Sequence, residues 1–133
     1  MVEHAVFNFD IIGVSRLAIE AIEHFRLCSY TEKSQRYIKL HGNYVVPPEI
    51  EDTGLKEPFV RVVEQQNRVY DQLFDTIYGQ MKKEKGDTLS KQDLKNLKIK
   101  IKEDVRYITS LATRGQLGMT VNARNLELMI RRF

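Results

Sequence analysis

The densest chemistry in this chain lies at the end of one stretch, Ser15 to Tyr37, which reads SRLAIEAIEHFRLCSYTEKSQRY. Past Arg26 it gathers Ser29, Thr31, Glu32, Lys33, Ser34, Gln35 and Arg36. Hydroxyls, a carboxylate and two cations in one segment suit a phosphorylated ligand. The guanidinium of Arg36 offers a fixed charge and paired donors, and Ser34 adds a short hydroxyl donor. A second candidate is Asn122-Ala123-Arg124 near the other end. Asn122 can cap a final helix whose free amides and dipole, with Arg124, favour an anionic or carbonyl-bearing ligand. Cys28 has to be weighed as a nucleophile, which would need a depressed thiol pKa. Its position at a helix end fits a small half-buried filler better, and it is read so.

The elements that must position these residues follow from periodicity. Ser15 is an N-cap for a helix carrying Leu17, Ala18, Ala21, Ile22 and Phe25 on one side, with the helical period dissolving after Arg26. Before it, Phe7, Phe9 and Ile11 alternate with Asn8 and Asp10, predicting a half-buried strand over Ala5–Ile12 that Gly13 stops. Residues 38–55 are the least regular part. Pro47 and Pro48 disfavour a helix there, Tyr37, Tyr44 and Val45 suit a short strand, and no chemistry stands out. Residues 56–84 predict one long helix with the stripe Phe59, Val62, Val63, Val69, Tyr70, Leu73, Phe74, Ile77 and Met81. The cationic run Lys82, Lys83 and Lys85 is read as a solvated helix end ahead of Gly86, not a nucleic-acid patch. A further helix is expected from Ser90 to Leu111, opened by a Ser90/Asp93 capping box, with Leu94, Leu97, Ile101, Val105 and Ile108 buried. A strand over Gly115–Val121 follows, with Gly118 marking a place where another backbone or a cofactor comes close, and then the helix Ala123–Phe133. The fold class is α+β: a few-stranded, mostly antiparallel sheet with long helices packed on it.

At 133 residues the chain is read as a single domain spanning 1–133. A hydrophobic fraction of 42% and a charged fraction of 29% describe a soluble globular protein. The net charge of +3 suits small anionic ligands and gives no case for nucleic acid. No apolar run approaches a membrane span and no signal-peptide pattern opens the chain. With only Cys28, an internal disulfide framework is excluded, and a cytoplasmic location is expected.

The stretch from His24 to Arg36 resembles the signature of the flavin-dependent thymidylate synthases, also called thymidylate synthase complementing proteins, which reads R-H-R-x-x-S-x-N-x-x-S-x-R. Arg26, Ser29, Ser34 and Arg36 match it, while His24, Phe25 and Thr31 stand where the family has Arg, His and Asn. VEHAVFNFDIIGVSR resembles the family's E-H-x-x-F-x-F strand, and VRYITSLATRGQLGMTVNARNL its A-R-Y-x-L-P-L-x-T and T-x-N-A-R-x-L segments. The resemblance implies reductive methylation of deoxyuridylate (dUMP) to thymidylate. The one-carbon donor is methylenetetrahydrofolate, the hydride source is FAD, and NADPH reduces the flavin. It implies no protein nucleophile and a homotetramer with shared sites, and neither a metal, nucleic acid nor a membrane partner. Carried over by position, Glu32, Lys33, Ser34, Gln35 and Arg36 would line the dUMP site, with Arg106 from another subunit. His24, Phe25, Arg26, Asn122 and Arg124 would contact FAD.

The family also places its E-H pair, here with His4, near the ligand; the residue alone fits an exposed strand end equally well. Members carry more chain at both ends, so 1–133 is expected to be a core lacking N- and C-terminal parts. His24 lacks a permanent cation and the Phe25 side chain cannot donate a hydrogen bond. The alternative is a catalytically inactive relative serving as a nucleotide-binding or oligomer-building domain.

Overall fold

The alternating segment near the N-terminus does form a strand, and its partner is the late glycine-containing one. The computed structural model describes residues 2–32, 42–85 and 89–133. In chain order the elements are β1 (Val6–Ser15), α1 (Arg16–Glu23), β2 (Ser29–Glu32), α2 (Pro48–Glu51), α3 (Lys56–Lys85), α4 (Lys91–Val105), β3 (Arg114–Asn122) and α5 (Ala123–Arg132). Short 3₁₀ turns occupy Val2–His4 and Arg106–Ile108. The chain packs as two compact units, Met1–Lys33 with Leu111–Phe133, and Ser34–Ser110.

The first unit is built on a three-stranded antiparallel sheet of order β1-β3-β2. Phe7, Phe9 and Ile11 lie opposite Val121, Met119 and Leu117, and Tyr30 lies opposite Met119 on the other side of β3. Side chains alternate along a strand, so these residues share one face. On that face Met119 and Val121 are buried with Met129 of α5, joined by Ile11, Ile22, Phe25, Cys28, Tyr30 and Leu126. The opposite face carries Asn8, Asp10 and Ile12 against Thr120, Gly118 and Gln116. Thr120 Oγ1 donates to Asn8 Oδ1 at 2.7 Å there.

Two local expectations change. Gly13 does not end β1: with φ of +78° it forms a bulge between Ile12 and Val14, and pairing resumes through Ser15. Ser15 does cap α1, its Oγ accepting from Ala18 N at 3.2 Å, but the helix ends at Glu23 instead of reaching Arg26. The reason is a side-chain stop. The Tyr30 hydroxyl is within donating distance of the Ile22 carbonyl (2.8 Å) and the Phe25 carbonyl (3.0 Å), satisfying groups that would otherwise call for another helical turn. The chain then re-enters the sheet as β2, where a loop was expected.

In the second unit α3 packs on α4 around Tyr70, Leu97, Ile101 and Val105, with Phe74, Ile77, Tyr78, Met81 and Ile108 at the margin. The long helix appears as expected, although Val62 and Leu73 of its apolar stripe remain exposed. The capping box at α4 is complete: Asp93 N donates to Ser90 Oγ and Ser90 N to Asp93 Oδ2, each at 3.1 Å. α4 stops at Val105, short of Leu111. Thr109 donates to the Arg106 carbonyl through both its amide (3.1 Å) and its hydroxyl (2.7 Å), tightening the end into a 3₁₀ turn. Pro48 opens the short helix α2 where none was expected, because proline is tolerated in a first turn whose amide has no partner anyway. Of the expected short strand, Tyr44 makes only an isolated bridge and Tyr37 lies outside the described residues. The α+β class holds, and no helix among the described residues is long and apolar enough to cross a membrane.

Candidate functional site

α1 delivers His24, Phe25 and Arg26 into a turn that faces α5. His24 is the C-cap of α1, its amide bonded to the Glu20 carbonyl at 3.2 Å, and its side chain is exposed. Phe25 turns inward and packs its ring on Phe133, with centroids 5.6 Å apart. Asn125 Nδ2 donates to the Leu27 carbonyl at 3.2 Å, tying the turn to α5. Between them lies a groove of about 560 Å³ lined by His24, Phe25, Arg26, Leu27, Cys28, Asn125, Leu128 and Arg132. Its chemistry is mixed. Arg26 and Arg132 bring permanent cations, while Phe25, Leu27 and Leu128 bring apolar surface, a combination suited to a flat anionic ligand.

Three of the expected cofactor residues, His24, Phe25 and Arg26, are thus brought together. The other two are not part of the groove lining. Asn122 Oδ1 accepts from Asn125 N at 2.9 Å and so caps α5. Arg124, exposed, pairs with Glu3 of the 3₁₀ turn at the N-terminus. Asn125, Leu128 and Arg132 were not singled out in the sequence. Their spacing puts them on one side of α5, so the signal was helical periodicity read from the residue after the N-A-R motif. Cys28 Sγ lies 3.7 Å from Met129 Sδ in a half-buried position, as a packing residue would. His4 is exposed.

The remaining candidates lie elsewhere. Glu32 ends β2, and its carboxylate accepts from Arg16 Nη1, while Arg16 Nη2 reaches Glu20 at 2.6 Å. The hydrogen bond to Glu32 is the main reason the Arg16 pKa is pushed up. Nearby Glu23 is also raised, first by burial and then by the charge of Glu32. With Asp10, Ile12, Thr31, Gln116, Leu117 and Gly118, Glu32 lines a second hollow of about 410 Å³. Gly118 makes no close approach: a Cβ there would meet nothing nearer than 3.9 Å. The crowded glycine is Gly115, whose Cβ would stand 2.4 Å from Ile19 Cδ1. Arg106 belongs to the second unit, caps α4 and lays its guanidinium 5.5 Å from the centre of the Tyr107 ring. Lys33, Ser34, Gln35 and Arg36 lie outside the described residues.

The family model for the thymidylate synthase complementing protein matches residues 1–132. The chain belongs to this family. It is similar to the flavin-dependent thymidylate synthase of Clostridium tetani, 32% identical over 127 residues that cover 94% of this chain and 49% of the relative. The same-named proteins of Pyrococcus abyssi and Sulfolobus acidocaldarius are each 31% identical, covering 96% and 95% of this chain and 46% and 41% of theirs. The chain therefore spans about half the length of the curated relatives it matches. Phe25 itself packs against the hydrophobic cluster of Met119, Val121 and Met129.

Proposed function

We propose that this protein is a cytoplasmic flavin-dependent thymidylate synthase. It would convert dUMP to thymidylate with methylenetetrahydrofolate, FAD and NADPH, as a homotetramer whose sites draw on several subunits. One observation carries this beyond family membership. Arg26 of the signature and Asn125 and Arg132 of the helix that follows N-A-R, distant in sequence, line a single groove. The donor set suits FAD, since phosphates ask for cations and the ring system for apolar walls.

The flavin, when bound, supplies the hydride that completes the methyl group. The protein's own share is placement. Arg26 and Arg132 supply cationic donors, and Asn125 holds the turn carrying Arg26 against α5. Phe25, Leu27 and Leu128 exclude water from one wall. His24 adds a donor in place of the family's arginine, and Asn122 and Arg124 join the cofactor residues at the N-terminus of α5. Ser34 and Arg36 hold the nucleotide phosphate, with Glu32, Lys33 and Gln35 alongside and Arg106 contributed by another subunit.

The test is FAD binding, followed by visible absorption after gel filtration, together with calorimetric titration of dUMP. Expected are a retained flavin band, at least a tenfold weaker FAD affinity in Arg26→Ala, and loss of dUMP binding in Arg36→Ala with an unchanged circular dichroism spectrum. A colourless protein that also ignores dUMP would leave only a shared scaffold.

A further inference from the structure

We propose that Tyr30 is a positioning residue for the flavin groove: its hydroxyl clamps the turn that carries Arg26 and so sets where that guanidinium stands. The inference deepens the reading of the groove as a flavin site and rests on it for the ligand.

The turn needs a clamp. α1 ends at Glu23, yet His24, Phe25, Arg26 and Leu27 include no glycine, the residue that commonly turns a chain out of a helix. Among the described residues only Gly13 and Gly42 have a positive φ, so no other left-handed residue takes its place. Had α1 run on, Arg26 would lie four residues past Ile22, on the same side of the helix. Ile22 packs against the buried Met119, Val121 and Met129. A continued helix would therefore aim the guanidinium at apolar packing, where an unpaired charge is costly. The early end instead leaves Phe25 packed inside and Arg26 exposed at the groove.

Side chains from two other elements hold that outcome. Tyr30 Oη is 3.0 Å from the Phe25 carbonyl and 2.8 Å from the Ile22 carbonyl, so one hydroxyl ties the last turn of α1 to the residue before Arg26. The Leu27 carbonyl accepts from Asn125 Nδ2 at 3.2 Å. The carbonyls on either side of Arg26 are thus both held, one from β2 and one from α5. Tyr30 can serve as an anchor because β2 is itself fixed. It lies opposite Met119 in the sheet, and its side chain packs against the same cluster as Ile22 and Phe25.

The test uses Tyr30→Phe, which keeps the ring and removes only the hydroxyl. FAD affinity is read by fluorescence titration, and the visible spectrum of the bound flavin is recorded. Expected are a dissociation constant raised roughly fivefold or more, as the loss of one hydrogen bond would give, and an altered flavin band. Ile101→Val, in the core of the second unit, lowers the urea midpoint without touching the groove and should change neither readout. The deciding measurement is the cycle with Arg26→Ala. Because Tyr30 acts through Arg26, removing its hydroxyl from Arg26→Ala should weaken FAD less than twofold further. If Tyr30→Phe does not fold in plain buffer, the set is compared in concentrated sucrose, which favours the folded state without replacing the donor. A parent that binds FAD no better than Tyr30→Phe does, an equal loss in Ile101→Val, or losses that multiply in the double variant would each overturn the role of Tyr30 and leave the flavin site standing. A parent that binds no FAD would overturn both.

Discussion

Adding one carbon at Gly115 tests how α1, which carries His24 to Arg26, is seated on the sheet. Gly115 has an ordinary backbone angle, so alanine fits the main chain, and removing glycine from a strand should by itself stabilise by about 0.5–1 kcal/mol. The new Cβ, however, would stand 2.4 Å from Ile19 Cδ1, against the about 3.5–4.0 Å of a carbon–carbon contact. Ile19 is fully buried and has nowhere to retreat, so overpacking at about 1–3 kcal/mol outweighs the backbone gain. The net loss should be about 1–2 kcal/mol, or roughly 4–8 °C in Tm for a chain of this size. Ile19→Val removes that terminal methyl at a cost of about 0.5–1.5 kcal/mol, and the next Ile19 atom lies at a comfortable 3.9 Å. In the Ile19→Val background, Gly115→Ala should therefore become neutral or stabilising. Urea denaturation of the four proteins, followed by circular dichroism, gives the coupling energy. The same effect in both backgrounds, or a stabilised single variant, would refute this account of the contact.

Other perturbations probe the same unit. Asn122→Ala should cost about 1 kcal/mol of stability through loss of the α5 cap, and Asn122→Asp should retain most of it, as read by the urea midpoint. Burial raises the Tyr30 pKa, so the folded state keeps the phenolic proton where the unfolded state loses it. Its contribution is complete below the unfolded value of about 10 and declines above it, and Tyr30→Phe should flatten that alkaline loss while costing about 1 kcal/mol at neutral pH. Arg16→Gln should destabilise by about 1 kcal/mol near neutrality and by a smaller amount at 1 M salt.

Much of the scaffold is local physics and could be read from the chain. Ser15, Ser90 and Asn122 cap their helices because a short side-chain oxygen one position before a helix can reach a free amide there. The stripe of α3 and the alternation of β1 follow from side-chain periodicity in the same way. The end of α1 was not legible. It depends on Tyr30, whose hydroxyl reaches back to Ile22 and Phe25 only once β2 has paired with β3. The groove was half legible: the signature pointed to His24, Phe25 and Arg26, while Arg132 entered by lying on the same side of α5 as Asn125.

The sequence by itself determined the α+β class, the starts of α1, α3, α4 and α5, the family and the residue types that can hold a phosphate, because these rest on neighbours along the chain. Tertiary structure alone decided that Phe25 packs on Phe133, that Gly115 and not Gly118 is the crowded glycine, and that Arg26 and Arg132 line one groove. Each of those depends on residues distant in sequence meeting in the folded unit, which no local periodicity encodes.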